Sequence, residues 1–270
     1  MKIGKATTPR SAICTSNEHR IVVRGANLTE ELIGRISFTD YFHLLVTGRR
    51  PDAAASAVLD ATLVAIAEHG LVPSVQAARM TLAAAPDALQ GAVAAGILGC
   101  GSVILGASET AGRMFLEIEQ AAASQGGDIQ AAARAVVAER RARRAPIPGY
   151  GHPEHKTLDP RVTRLFEVAR AAGASQKYVG IAQAVEAVIP EVVGKELKLN
   201  VSAAIPAVLL DVGFPVNALK GVPMLARVAG LIGHMTEEYE DPIGFALSYQ
   251  AVREYEYTGG LPAGERGGQA

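Results

Sequence analysis

The sequence predicts an all-α protein, and three observations carry that expectation. Apolar residues recur at helical spacing through most of the chain, and no stretch alternates with period two long enough to insist on a sheet. Aromatics are scarce (5%, no Trp) while Ala and Gly abound, which favours closely packed helices over a sheet that needs β-branched and aromatic surface.

Each element has a local reason. Ser37-Phe38-Thr39-Asp40 starts a helix with Tyr41, Phe42, Leu44 and Leu45 on its apolar face, and Gly48 with Pro51 ends it. Pro51 suits the first turn of a longer helix through Leu59, Leu63, Val64 and Ile66, ending near His69-Gly70. A third follows Pro73-Ser74, carrying Val75, Ala78 and Leu82, until Pro86 breaks it. Leu89 to Ala107 holds no charged residue, a length that can span a bilayer. Its flanks, Asp87 and Glu109, are acidic and lack cationic or aromatic anchors, so a buried central helix is expected instead. Gly91, Gly96, Gly99, Gly101 and Gly106 let other backbones approach it. Two Ala-rich amphipathic helices follow, 109–124 and 128–144, parted by Gly126-Gly127. Pro146 to Asp159 (PIPGYGHPEHKTLD) reads as an ordered loop. Asp159 then caps a helix with Pro160 at its first position and Leu165, Phe166 and Val168 on the buried face, stopped by Gly173. Three further helices are expected at 176–190, 201–212 (kinked by Pro206) and 216–238, before a Gly-rich, frayed tail.

Composition bounds the function. With 270 residues and 28.1 kDa the chain suffices for one large domain or two small ones. A hydrophobic share of 49% and mean hydropathy of +0.18 exclude a disordered chain. Net charge −1 and a pI near 6.6 give no global positive field for nucleic acid or an anionic membrane. Cys14 and Cys100 form neither a disulfide framework nor a zinc pattern, and the start, Met1 to Lys5, lacks a signal-peptide core. A cytoplasmic location is expected.

The loop is where chemistry concentrates. Gly149-Tyr150-Gly151-His152 sets a histidine beside glycines that admit a ligand close to the backbone. A neutral imidazole there can donate to a carbonyl or hydroxyl oxygen, or take its proton. The competing reading is a structural loop with a surface histidine. Arg161, in the first turn of the next helix, can grip a carboxylate two-pronged. Arg140, Arg141, Arg143 and Arg144 either hold ligand phosphates or form a solvated helix end. His69 at a helix end is a ligand-facing group or a satisfied terminal histidine. Arg227 interrupts an otherwise apolar helix (MLARVAGLIGH), and a buried arginine demands an anionic partner. Glu237-Glu238 read as a solvated helix end, and His19, His43, His155 and His234 are not spaced as a metal site.

Four stretches together resemble the citrate synthase superfamily, most closely its short citryl-CoA lyase-like members: RGANLTEELIGRISFTDYFHLLVTGRRP, HGLVPSVQAAR, PGYGHPEHKTLDPR, and the pair NVS with MLARVAGLIGH. The resemblance covers residues 20–245. It implies a homodimer of helical subunits, each with a large domain (1–107 and 199–270) and a smaller inserted one (108–198), and an active site in the cleft. It implies that the uncharged segment helps form the dimer interface. His69 would hold the dicarboxylate portion of the substrate, and His152 would polarise the keto group or bind the tertiary alcohol of a citryl thioester. Arg161 and Arg227 would bind carboxylates. Pro148, Gly149, Tyr150 and Gly151, with Lys156 and Arg144, would contact coenzyme A.

Two positions depart from the family pattern. Ile104 stands where the enolate-stabilising histidine is expected, and Ser202 where the proton-transferring aspartate is expected. Losing one such electrostatic group costs about 10²–10³-fold in rate, and losing a general base about 10²–10⁴-fold. Around Glu240-Asp241-Pro242-Ile243 there is no counterpart of the partner-subunit arginine. The resemblance therefore implies a lyase that cleaves citryl-CoA or a related 3-hydroxy-acyl-CoA, with Ser202, Ser102 or water a weak substitute as proton donor, or Glu109 where its helix turns it inward, no permanent cofactor, no metal, and a CoA thioester as substrate or product. Two alternatives stand beside it: a citrate synthase-like enzyme on a different acyl-CoA, with Ile104 as an apolar wall, and a non-catalytic acyl-CoA-binding homologue.

Overall fold

The computed structural model describes residues 9–101, 103–124, 126–151 and 157–260. It is a helical protein, as the sequence implies, and divides into two compact units: Met1–Ala65 with Ala107–Gly221, and Ile66–Gly106 with Val222–Ala270. The whole stretch 108–198 falls in the first unit, together with the N-terminal segment and the helix that follows residue 199.

The first unit opens with elements the sequence did not announce. Strands β1 (Cys14–Ser16), β2 (Ile21–Val23) and β3 (Ala26–Asn27) form an antiparallel meander, with Thr15 opposite Val22 and Val22 opposite Asn27. At three, three and two residues they are too short to show a period-two pattern. The Asn27 side chain caps one wide turn, Leu28–Leu32. Val23, Leu32 and Leu44 then close a small apolar cluster with helix α1 (Phe38–Thr47). Ser37 caps α1 and left-handed Gly48 ends it. Helix α2 (Ala53–Ala67) begins at Asp52, whose carboxylate accepts from Ala55 N, rather than at Pro51.

The core of this unit is built on α9 (Val201–Asp211), of which only Ser202 and Leu210 are not buried. Around it pack α5 (Ala107–Ser124), α7 (Pro160–Ala171) and α8 (Lys177–Val193), while α6 (Ile129–Ala142) lies on α5 and α8. The apolar run of α9 (VSAAIPAVLL) is nearly continuous because every face of the helix is covered.

The second unit packs α3 (Pro73–Ala84), α4 (Leu89–Leu98), α10 (Gly221–Glu240) and α11 (Gly244–Glu254). Val75, Ala78, Leu82, Ala92, Leu231 and Met235 form its core. The uncharged run is not the single buried helix expected. Its glycines end α4 at Gly99, the chain turns before α5, and within α4 only Ala92 and Gly96 are buried while Leu98 is 85% exposed. Gly96 explains the one close approach, since a Cβ there would stand 2.8 Å from both Leu231 and the Ser74 carbonyl. Among the described residues no helix is long and apolar enough to cross a membrane. Helix α11 was not anticipated from the sequence.

Candidate functional site

In the first unit, three segments meet at the N-terminus of α9. Gly149 O accepts from Asn200 N at 2.9 Å, Gly151 N donates to Lys198 O at 2.7 Å, and Asn200 Nδ2 donates to Gly151 O at 2.6 Å. Tyr150 thereby pairs with Leu199 in a single antiparallel bridge, and its hydroxyl donates to Ala182 O at 2.8 Å. Burial, with the nearby Glu186 charge, pushes the Tyr150 phenol well above its ordinary range. Pro148, Gly149 and Tyr150 are all buried. Gly149 is required twice over: its φ is +86°, and a Cβ would lie 2.7 Å from Ala203 N and 2.8 Å from its Cα. Backbone cannot yield as a flexible side chain does, so Gly149→Ala is expected to cost about 3 kcal/mol or more, read as a lowered urea midpoint at unchanged slope.

Asp159 is the pivot of the same place. It is 1% exposed, caps α7 through Arg161 N, chelates Arg161 Nε and Nη2 at 2.9 Å each, and accepts Val201 N at 3.0 Å. Burial pushes the Asp159 carboxyl up, but Arg161 and the Val201 and Arg161 N–H groups outweigh it and hold the carboxyl below its ordinary value. The Arg161 side chain remains 18% exposed, with Nη1 outside the Asp159 chelate. Its fork is thus held by the protein's own carboxylate, which orients it while leaving one edge for a second anion. Ser202, one residue into α9, donates its backbone N–H to Asn200 Oδ1 and is half-buried. A cleft of about 330 Å³ opens nearby, lined by Thr157, Val162, Phe166, Gln183, Glu186 and Lys198 among others.

In the second unit stand His69 and Arg227. His69 follows the end of α2 and is half-buried. Arg227 on α10 is 3% exposed; Nη2 reaches Ile66 O at 3.4 Å, and Nε and Nη1 have no partner among the described residues. A buried guanidinium with idle donors is a place that calls for an anion.

Expected residues fare differently elsewhere. His152 and Lys156 lie outside the described residues, as does Ser102. Arg144 is exposed with φ +54°, while Arg140 pairs with Glu117 and Arg143 with Glu139, so half of that basic cluster is engaged internally. Ile104 is 40% exposed and Val103 84% exposed, beside buried Leu105 at φ +64°. Glu109, a conceivable proton donor, binds Arg113. Among the described residues no group of His, Cys, Asp and Glu is placed to hold a metal ion.

Glu238 overturns its reading as a solvated residue. It is 3% exposed and binds Arg79, itself 2% exposed, at 2.5 Å, while exposed Glu237 takes Arg79 Nη1 at 2.5 Å. Sequence reasoning passed over Arg79, yet it falls on the apolar stripe of Val75, Ala78 and Leu82, the signal that drew attention to Arg227.

The family model for the citrate synthase C-terminal domain matches residues 11–244. The citrate synthase of Synechocystis sp. is 30% identical over 210 residues, covering 76% of this chain and 50% of that protein. The chain spans about half the length of the curated relatives it matches. Among solved structures, the citryl-CoA lyase from Hydrogenobacter thermophilus superposes with a TM-score of 0.83 at 32% identity, covering 96% of this chain and 98% of that one. The citrate synthase from Pyrobaculum aerophilum gives 0.64 at 26% identity, covering 86% and 55%.

Proposed function

The chain belongs to the citrate synthase family, and from that premise we propose that it is a carbon–carbon lyase that cleaves citryl-CoA, or a related 3-hydroxy-acyl-CoA, to a keto acid and an acyl-CoA. One observation supports this above the others: Arg227 is buried with two idle donors, where a substrate carboxylate would satisfy both. The TM-score of 0.83 to the Hydrogenobacter lyase, against 0.64 to the Pyrobaculum citrate synthase, supports the lyase over the synthases.

In this reading Arg227 and His69 bind carboxylate and oxygen groups of the acid, and Arg161, oriented by Asp159, binds a second carboxylate. His152 takes the hydroxyl proton of the citryl group, the adjacent C–C bond breaks, and the electron pair passes to the thioester as an enolate. A proton delivered to the α-carbon, with Ser202 or water as its source, completes the acyl-CoA. The backbone of Pro148 to Gly151, with Lys156 and Arg144, lies along the CoA moiety. Cleavage asks less of position 202 than condensation does, because the leaving electrons create the enolate without a base to remove a methyl proton. The test is to incubate the protein with citryl-CoA and quantify oxaloacetate and acetyl-CoA. Matched appearance of both supports the lyase, and an intact thioester after binding refutes it.

A second reading has its own observation. Val103 and Ile104 present apolar surface where a catalytic histidine is expected, which suits a citrate synthase-like enzyme on an acyl group bulkier than acetyl. A panel of acyl-CoA esters with oxaloacetate separates the two.

The proposed enzyme is a homodimer. On α11, Phe245, Tyr249 and Val252 are 69%, 66% and 57% exposed at spacings of four and three, one continuous apolar face, with exposed Tyr255 and Tyr257 beyond it. Sedimentation is expected to show a dimer, and Tyr249→Glu to raise its dissociation constant about 30-fold or more. A monomer in the unsubstituted protein contradicts this assignment.

A further inference from the structure

Arg227, Gly230 and His234 lie three and four residues apart on α10 and so share one helical face. All three meet the end of α2. Arg227 Nη2 reaches Ile66 O at 3.4 Å. A Cβ on Gly230 would collide with Ala67 O and come within 2.9 Å of Glu68 Oε2, so only glycine admits the approach. His234 Nε2 stands 3.0 Å from Glu68 Oε1. The Arg227 guanidinium at this place also complements the carbonyl end of α2.

Glu68 faces the other way as well. Its Oε1 accepts from His69 N at 2.8 Å and from Gly70 N at 2.6 Å, closing a turn in which Gly70 has φ +71°. Burial pushes the Glu68 carboxyl up, but His234 and the two N–H groups outweigh it and keep it below its ordinary value. On its far side His234 Nδ1 is 3.4 Å from Arg79 Nη1 and 3.9 Å from Glu237 Oε2, and Arg79 is tied to Glu238. One carboxylate is thus shared by the imidazole of α10 and the backbone of the His69 turn.

We infer that His234 is a positioning residue that acts through Glu68 to hold the His69–Gly70 turn, and so sets the direction from which His69 meets a bound acid. The last clause rests on the reading of His69 as an acid-binding group; the hold on the turn does not. The same helix then supplies Arg227 and orders its histidine neighbour, with Gly230 as the contact point between them.

Amide hydrogen exchange at His69 and Gly70, in the ligand-free full-length protein, tests this without any substrate. His234→Ala is expected to speed exchange at both amides about tenfold, the scale of one weakened charged hydrogen bond. Glu68→Ala should do at least as much, the double variant no more than Glu68→Ala alone, and His234→Gln, which keeps a donor, should fall between His234→Ala and the unsubstituted protein. Exchange within α10 should stay constant throughout. Unchanged His69 and Gly70 exchange in His234→Ala, or full additivity with Glu68→Ala, overturns the inference. Failure of citryl-CoA cleavage in the unsubstituted protein would remove the catalytic reading while leaving these exchange rates to decide the positioning one.

Discussion

Arg227→Leu is expected to make the ligand-free protein more stable and to weaken its binding of oxaloacetate. The guanidinium is buried, its one backbone contact is long, and two of its nitrogens donate to nothing among the described residues. An unsatisfied buried donor costs about 1–3 kcal/mol, and leucine keeps the apolar bulk of the arginine stem. A gain of about 1–3 kcal/mol is therefore expected, seen as a rise of several degrees in Tm without ligand. The opposite holds with ligand. Losing one side of a buried charge pair costs about 2–5 kcal/mol, so the Kd for oxaloacetate should rise at least about 30-fold. Thermal melts with and without oxaloacetate show both signs together. A destabilised Arg227→Leu protein that still binds would make Arg227 a structural residue.

Glu238→Ala is expected to destabilise the second unit by about 3–5 kcal/mol, the usual cost of stranding one partner of a buried ion pair. Arg79 would lose its 2.5 Å partner, keeping exposed Glu237 and the Asp241 carbonyl. The carboxylate also accepts Ile243 N and Gly244 N, so the start of α11 would lose its cap. The pH dependence has a definite sign. Burial raises the Glu238 carboxyl, but Arg79 and those two N–H groups prevail and depress it. A depressed carboxyl contributes its full stability above the ordinary glutamate range and loses it only as pH falls through the lower, folded-state value. The difference between the unsubstituted protein and Glu238→Ala should thus be constant near neutrality and shrink only in strongly acidic solution, as read by denaturant melts across pH.

Much of the helical layout is legible in the sequence because its signals are local. Ser37, Asp128, Asp159 and Asn200 each cap a helix with a side-chain oxygen, and Gly48, Gly173 and Gly194 close helices in left-handed turns or just beyond them. Asp159 was visible as a cap; that it also holds Val201 needs the fold, since that contact joins residues 42 positions apart. The uncharged run shows the limit of composition. Hydropathy made it a candidate core helix, but its glycines set where the helix stops, and the truly enclosed helix is α9, whose internal Pro206 made it look less regular. Glu238 misled for a related reason: a glutamate beside another at a helix end reads as solvated, and its partner Arg79 lies 159 residues away. The meander was silent because two- and three-residue strands carry no period.

The most direct measurement is a crystal structure of the protein with oxaloacetate and a coenzyme A thioester. The account predicts a ligand carboxylate within hydrogen-bonding distance of Arg227 Nε and Nη1. An Arg227 capped by one of the protein's own carboxylates, with the acid bound elsewhere or absent, would contradict it.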